Sequence, residues 1–224
     1  MERLEELKTR LALPVHDELL FLALSHPSSV GEGLERTLKS NQRLEFLGDA
    51  LVGAIVAAYF YERESQLPEG ELTRRKIAAV RQSALADAAR RLYLGQYLSM
   101  GRGEDSAGGR ARSSNLSDAF EALVGAIYLS CGFETTRDFV LKILEPELQT
   151  DPSRLIPAKN RLQELSQAIG LGTPTYKTAP ISPKKHFFTS EVFLKGEKRG
   201  RGQGNSKKLA EENAALEALK TMNS

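Results

Sequence analysis

Asn41-Gln42-Arg43-Leu44-Glu45-Phe46-Leu47-Gly48-Asp49-Ala50-Leu51-Val52 is the stretch whose reading decides the rest. Leu44, Leu47 and Leu51 recur at helical spacing, and the pattern runs on through Ile55 and Tyr59. One long helix is therefore expected over residues 40–64, with Ser40 or Asn41 as its N-cap. Glu45 and Asp49 lie four residues apart, which on a helix puts both on one face, about 6 Å apart. A second stretch echoes the first. Asp49-Ala50-Leu51-Val52-Gly53-Ala54-Ile55 returns as Glu121-Ala122-Leu123-Val124-Gly125-Ala126-Ile127. The repeat predicts two helix-packing seams, with Gly53 and Gly125 admitting a close backbone approach. If the seams face each other, Asp49 and Glu121 start near the same place.

Around these segments, residues 1–149 read as an all-α domain. Helical spacing covers residues 4–11, 16–24, 117–129 and 134–148. A basic helix is expected over 71–94, after the break at Leu67-Pro68-Glu69-Gly70, and a Gly/Ser/Arg loop over 101–114. No strand is expected before residue 150. Residues 150–154 form a linker. Residues 155–224 change period: a helix over 158–169, strands over 175–178, 187–194 and 199–203, a turn over 195–198, and a closing helix over 205–220. That order, α-β-β-β-α, is a separate small α+β domain.

The 224 residues are enough for a sizeable core without disulfides or a structural metal. A single cysteine, Cys131, excludes an intramolecular disulfide and a cysteine-based zinc cluster. The three histidines, His16, His26 and His186, are far apart in the chain. No apolar run approaches a membrane span, and the charged start, Met1-Glu2-Arg3-Leu4-Glu5-Glu6, has no apolar leader. A cytoplasmic protein with no membrane partner is the expectation. The net charge of +2 hides a split. Residues 151–224 carry 13 Lys and Arg against 7 Asp and Glu, and the remainder carries 18 against 22.

Chemistry concentrates on four acids. Asp118 and Glu121, three residues apart, share a helix face as Glu45 and Asp49 do. Each pair sits among apolar neighbours, so the four repel unless a cation lies between them. Arg43 is one candidate partner for Glu45. Oxygen donors without Cys or clustered His otherwise point to a hard ion, Mg²⁺ or Mn²⁺. Such ions hold a phosphodiester and lower the pKa of water. His26 reads as a structural histidine at a helix end, and Cys131 as a small core residue.

The segment from Asn41 to Asp49 closely resembles the signature of the ribonuclease III family. Ser117-Asp118-Ala119-Phe120-Glu121-Ala122-Leu123-Val124-Gly125-Ala126-Ile127-Tyr128 resembles the family's second carboxylate helix. Leu24-Ser25-His26-Pro27-Ser28 and Pro68-Glu69-Gly70-Glu71-Leu72-Thr73 match two further family segments in order and spacing. The resemblance implies that Glu45, Asp49, Asp118 and Glu121 are the metal-binding catalytic carboxylates. It also implies that Glu69 is an auxiliary acid near the catalytic valley and the dimer interface. The family usually has Glu where Gln42 stands, and Ser114-Asn115-Leu116-Ser117 departs from its usual run.

In the second domain three features converge on RNA. Gly200-Arg201-Gly202-Gln203-Gly204-Asn205-Ser206-Lys207-Lys208 ends in a lysine pair at a helix start, a strong phosphate site. Lys184, Lys185 and His186 form a basic loop between two strands. Gln163 and Glu164 offer hydrogen-bonding groups suited to 2′-hydroxyls and base edges. The segment resembles a double-stranded RNA-binding domain, with Ser206, Lys207 and Lys208 in its closing motif. Glu211 stands where such domains often carry a third basic residue.

The acids imply a hard-metal site, and the resemblance to the ribonuclease III family implies a Mg²⁺-dependent endoribonuclease that hydrolyses double-stranded RNA, with Mn²⁺ as a substitute. The resemblance implies a homodimer in which each subunit cuts one strand, leaving 5′-phosphates and short 3′ overhangs in rRNA and other structured transcripts. Phe46, beside Glu45, is the expected interface anchor. A binding-only protein would have lost at least one carboxylate, and a helical nucleotide phosphohydrolase would carry His-Asp ligand pairs.

Overall fold

In the computed structural model, residues 2–31, 40–151, 157–182 and 186–222 are described. The chain divides into two units, Met1–Thr150 and Asp151–Ser224. The first is helical: α1 (Glu2–Leu11), α2 (Asp17–Ala23), α3 (Pro27–Gly31), α4 (Gln42–Arg63), α5 (Glu69–Val80), α6 (Gln82–Arg91), α7 (Leu94–Tyr97), α8 (Arg102–Ser106), α9 (Ser113–Ile143) and α10 (Glu145–Leu148). Among the described residues of this unit, β pairing is limited to one parallel bridge between Ser25 and Ser99.

α4 and α9 make the most extensive helix contact of the unit. Leu44, Val52, Ile55 and Val56 of α4 meet Leu116, Phe120, Leu123 and Ile127 of α9 in the core. Each fully buried Leu or Phe is worth about 1.5–3 kcal/mol relative to an exposed one. By length and mean hydropathy both helices would pass as membrane spans, but here they are the core helices of one unit. Their closeness depends on two glycines. A Cβ on Gly48 would lie 1.8 Å from the carbonyl oxygen of Glu121, and one on Gly125 2.5 Å from that of Leu44. The seam pair is therefore Gly48 and Gly125, not Gly53 and Gly125. A Cβ on Gly53 would meet only the end of Lys76, at 3.8 Å.

α9 is two helical segments joined at Gly132, whose φ of 79° is open to glycine and strained for other residues. Phe120 and Phe139 stack with ring centroids 6.4 Å apart. Nineteen residues of straight helix would separate them by about 28 Å, so the chain doubles back at this glycine. That break matches the two helices read from the sequence.

Other expectations need correction. The single basic helix over 71–94 is two helices, because Arg81 adopts an extended conformation (ψ 152°) between α5 and α6. The segment over 101–114 is not a plain loop. It holds α8, a 3₁₀ turn at Gly109–Ala111 and the start of α9. Ion pairs tie it together: Arg110 with Asp105 at 2.7 Å, and Arg112 with Glu104. Asn41 occupies the N-cap position of α4, but its side chain makes no capping bond.

The second unit contains α11 (Ala158–Ala168), then β1 (Thr175–Ser182), β2 (Phe187–Leu194), β3 (Glu197–Gly204) and α12 (Lys207–Met222). The strands form one antiparallel sheet in the order β1-β2-β3. β1 extends four residues beyond the expected 178, and β3 begins at Glu197. The β2–β3 turn places Lys195 and Gly196 at φ 48° and 83°, the left-handed pair that suits a two-residue hairpin. Ser190, Val192 and Leu194 point toward the helices and are buried. On β3 the inward positions are glycines, and a Cβ on Gly202 would lie 2.2 Å from the Ala214 amide nitrogen of α12.

Gly48→Ala should force α4 and α9 apart and lower stability by about 3 kcal/mol. Gly53→Ala should be neutral or raise it by up to about 1 kcal/mol through helix propensity. Thermal and urea unfolding of the two variants tests the seam assignment, and equal effects would reverse it.

Candidate metal centre and nucleic-acid interface

The crossing at Gly48 sets the geometry of the acids. Glu45 lies one turn before Asp49 on α4, and Asp118 and Glu121 lie on the first turns of α9. Carboxylate oxygens of Glu45, Asp118 and Glu121 lie within 4.8 Å of one another. All three are half-buried, whereas Asp49 is exposed and its oxygens fall outside that group. The expectation of four acids in buried seams is thus corrected: the Asp49 position faces solvent, while Val52, Ile55 and Val56 further along α4 are buried. Asp49 is still near enough to raise the pKa of both Glu45 and Glu121.

Burial, then the neighbouring charges of Asp49, Asp118 and Glu45, push the Glu121 carboxyl up to about 8. Burial, then Asp118 and Asp49, raise Glu45. Burial also raises Asp118, against the lowering effects of a hydrogen bond from Ser117 and the charge of His26. Among the described residues no ion pair joins these four acids to Lys or Arg. Arg43, the candidate partner of Glu45, is exposed and forms none. Three converging oxygen donors without a cationic side chain fit a hard divalent ion. Oxygen donors alone suit Mg²⁺ or Mn²⁺ and give a soft metal no thiolate or imidazole ligand.

Two supporting side chains lie outside the predicted set. The Ser117 hydroxyl is within 2.8 Å of the Ser114 carbonyl oxygen and 3.2 Å of Asp118 Oδ1. His26 Nδ1 accepts the amide of Ser28 at 3.1 Å, and the Ser28 hydroxyl accepts the amide of Gly101 at 3.0 Å. With Nδ1 so used, a neutral ring carries its proton on Nε2. The structural role read for His26 at a helix end stands, since it directly precedes α3. Its proximity to Asp118 had no sequence signal, because the two belong to distant segments.

Glu69 opens α5 and accepts the Thr73 hydroxyl at 2.9 Å. It lines a groove of about 400 Å³ with Ala57, Tyr61, Leu72 and Lys76, and is not among the three clustered acids. Gln42 is exposed, its Oε1 3.2 Å from the Ser40 hydroxyl. Phe46 is 81% exposed, the most exposed large hydrophobic side chain among the described residues.

In the second unit Gln163 and Glu164 are exposed on α11, and Lys207 and Lys208 are exposed at the start of α12. The Ser206 hydroxyl accepts the Leu209 amide at 3.2 Å, so it caps α12. His186 is exposed in the β1–β2 turn with φ 44°. Lys184 and Lys185 lie outside the described residues, as do residues 152–154 of the expected linker. Glu211 offers no third cation. It pairs with Lys159 of α11 at 2.5 Å.

Comparison with known proteins agrees with this division. Residues 16–148 match the ribonuclease-III-like family and residues 158–222 the double-stranded RNA binding motif. The chain is 44% identical to ribonuclease 3 of Moorella thermoacetica over 97% of its own length and 94% of the relative's. It is 40% identical to ribonuclease 3 of Enterococcus faecalis over 97% and 96%. The 2.2 Å crystal structure of the ribonuclease III nuclease domain from Campylobacter jejuni superposes with a TM-score of 0.60 at 34% identity. It covers 67% of this chain and 99% of that one. Since the likeness extends through both units and nearly the full length of each relative, the chain belongs to the ribonuclease III family.

Proposed function

We propose that the protein is a divalent-metal-dependent endoribonuclease that hydrolyses double-stranded RNA. The convergence of Glu45, Asp118 and Glu121 without a cationic partner carries the proposal. These three residues, with Asp49 alongside, would hold Mg²⁺, or Mn²⁺ in its place. The ion would supply charge stabilisation at the phosphodiester and acidify water. The reaction adds water across a P–O bond, leaving a 5′-phosphate on one fragment and a 3′-hydroxyl on the other. The Ser117 hydroxyl, 3.2 Å from Asp118 Oδ1, helps to orient that carboxylate, and the half-buried setting of the cluster strengthens every charge interaction within it.

The second unit holds the duplex by its A-form shape, through Gln163 and Glu164 on α11, His186 with Lys184 and Lys185 in the β1–β2 loop, and Ser206, Lys207 and Lys208 at α12. The nuclease domain of the Campylobacter jejuni relative has a region involved in dimer formation. The exposed ring of Phe46 supports a homodimer for this chain too, with Glu69 near its interface. A two-fold dimer matches the local two-fold symmetry of a duplex, so each subunit cuts one strand and leaves a short 3′ overhang. Cytoplasmic rRNA precursors and other structured transcripts are the proposed substrates. Residues 1–149 are the proposed catalytic domain, 150–154 the linker and 155–224 the RNA-binding domain.

Glu121→Gln separates catalysis from binding. It should abolish cleavage yet leave duplex affinity unchanged. It should also change stability in a defined direction. In metal-free protein the folded-state pKa of Glu121 is raised from 4.5 to about 8, so its contribution to stability is present below pH 4.5 and lost as pH rises through 8. Above pH 8 the metal-free variant should therefore melt higher than the parent, and Mg²⁺ or Mn²⁺ should raise the parent's Tm far more than the variant's. Parental cleavage by Glu121→Gln, or an equal metal effect on both, would remove the metal assignment.

Lys207→Ala combined with Lys208→Ala should weaken duplex binding and reduce the slope of log affinity against log salt by up to about two. An unchanged slope would take the phosphate contacts away from this pair. Phe46→Asp should shift the protein to monomers in light scattering, and a full-sized dimer would rule out the anchor.

A further inference from the structure

The two helices of the second unit each carry part of the proposed RNA surface: Gln163 and Glu164 on α11, Lys207 and Lys208 on α12. Recognition of A-form shape needs the distance between those parts to be held constant, because no base sequence compensates for a misplaced contact. The apolar contact between the helices is poorly suited to this. The buried cluster that holds α11, α12 and the sheet has mostly small side chains from the two helices, Ala158 on α11 and Ala214, Ala215 and Ala218 on α12, with Leu162 and Leu219 beside them. Alanine faces pack closely but have few protruding groups to lock a helix against sliding or rotation.

The lock is polar. Lys159 Nζ lies 2.5 Å from Glu211 Oε2, and among the described residues this is the one ion pair joining α11 to α12. The other Glu211 oxygen accepts the Thr178 hydroxyl of β1 at 3.1 Å, and that hydroxyl lies 2.9 Å from the Ser190 hydroxyl of β2. The Lys159 ammonium also sits 4.7 Å from the centre of the Tyr176 ring. Glu212, one residue on, accepts the Ala158 amide and so satisfies an orphan donor at the start of α11. No side chain at the N-cap position, Pro157, does this. The pair is partly shielded, with 35% and 23% of the side chains exposed, unlike a bridge in open solvent. Lys159 and Thr178 together hold the Glu211 carboxyl below the usual range.

We propose that Glu211 is a positioning residue that fixes the spacing of α11 and α12 through Lys159 and β1, and thereby sets the preference for A-form duplexes. The proposal rests on the RNA surface assigned above. It explains why an acid stands one turn from Lys207, where a third basic residue would add a phosphate contact: Glu211 exchanges that contact for alignment of the others.

The test measures full-length protein with a short RNA duplex and with a B-form DNA duplex of equal length and sequence. Glu211→Gln should weaken RNA binding about fivefold or more. DNA binding should be unchanged, so the RNA-to-DNA preference falls. The salt slope for RNA should keep its parental value, because no phosphate contact is lost. In cleavage assays KM should rise with kcat unchanged. Lys159→Met keeps Glu211 bonded to Thr178 and provides the second variant should the first unfold. It should give the same loss, and the double variant no greater loss than either single. Tighter RNA binding by Glu211→Gln would mean that the acid is only an unfavourable charge beside Lys207, and would overturn the proposal. So would unchanged affinity, an equal loss for DNA, or additive losses in the double variant. If the Lys207→Ala, Lys208→Ala protein binds RNA as the parent does, the assigned surface itself is wrong and the proposal falls with it.

Discussion

The close crossing of α4 and α9 is the constraint on which the first unit depends. Gly48 faces the backbone of Glu121, and Gly125 faces that of Leu44, so each helix has removed a side chain where the other's main chain passes. The contact is reciprocal, and a Cβ at either position would meet carbonyl groups that have no flexible end to move. Around it, Phe120, Leu123 and Ile55 fill the core. At its edge the same approach brings Glu45, Asp118 and Glu121 together. Packing and chemistry share one cause here: the glycines that bring the helices into contact also force acids of both helices into one site.

That arrangement opposes folding when no cation is present. Burial and the neighbouring carboxylates raise the proton affinity of Glu45 and, most of all, of Glu121. Hydrophobic burial along α4 and α9 must outweigh this repulsion. Asp118 has the most local support. Ser117 touches it, and His26 stands nearby, held in one orientation by Ser28 and through Ser28 by the amide of Gly101. The segment carrying Gly101 is ordered by Arg110 and Arg112 paired with Asp105 and Glu104, so a stretch that looks like a flexible loop in sequence supports the site.

The second unit also relies on small residues, to a different end. Glycines on β3 and alanines on α12 allow sheet and helix to meet closely, which leaves room for few large apolar side chains. Registration then passes to polar groups: Glu211 to Lys159 and Thr178, Glu212 to the Ala158 amide, and Asn213 to the Gln203 carbonyl at 2.8 Å. A domain that reads shape needs rigid spacing more than a deep core, and these bonds provide it.

Much of this was legible in the residues alone. The apolar period of 42–63, the alternation of 187–194 and the lysine pair after a capping serine each encode local structure, because helix and strand periods differ and capping is a short-range effect. The four acids could be singled out because carboxylates among apolar neighbours are costly without a counter-ion. Less legible were features set by partners distant in the chain. The repeated motif pointed to Gly53, but its helix presents that position to Lys76 and presents Gly48 to α9. Asp49 looked equivalent to Glu45, yet its position on α4 faces solvent while Glu45 is half-buried. Glu211 read as a missing cation until α11 was beside it. The sequence by itself determined the main helices and strands and which residue types carry the chemistry, since those depend on near neighbours. Only the tertiary structure decided which glycine lies at the crossing, which acids converge and what each charge pairs with, since these depend on how helices cross after the local structure has formed.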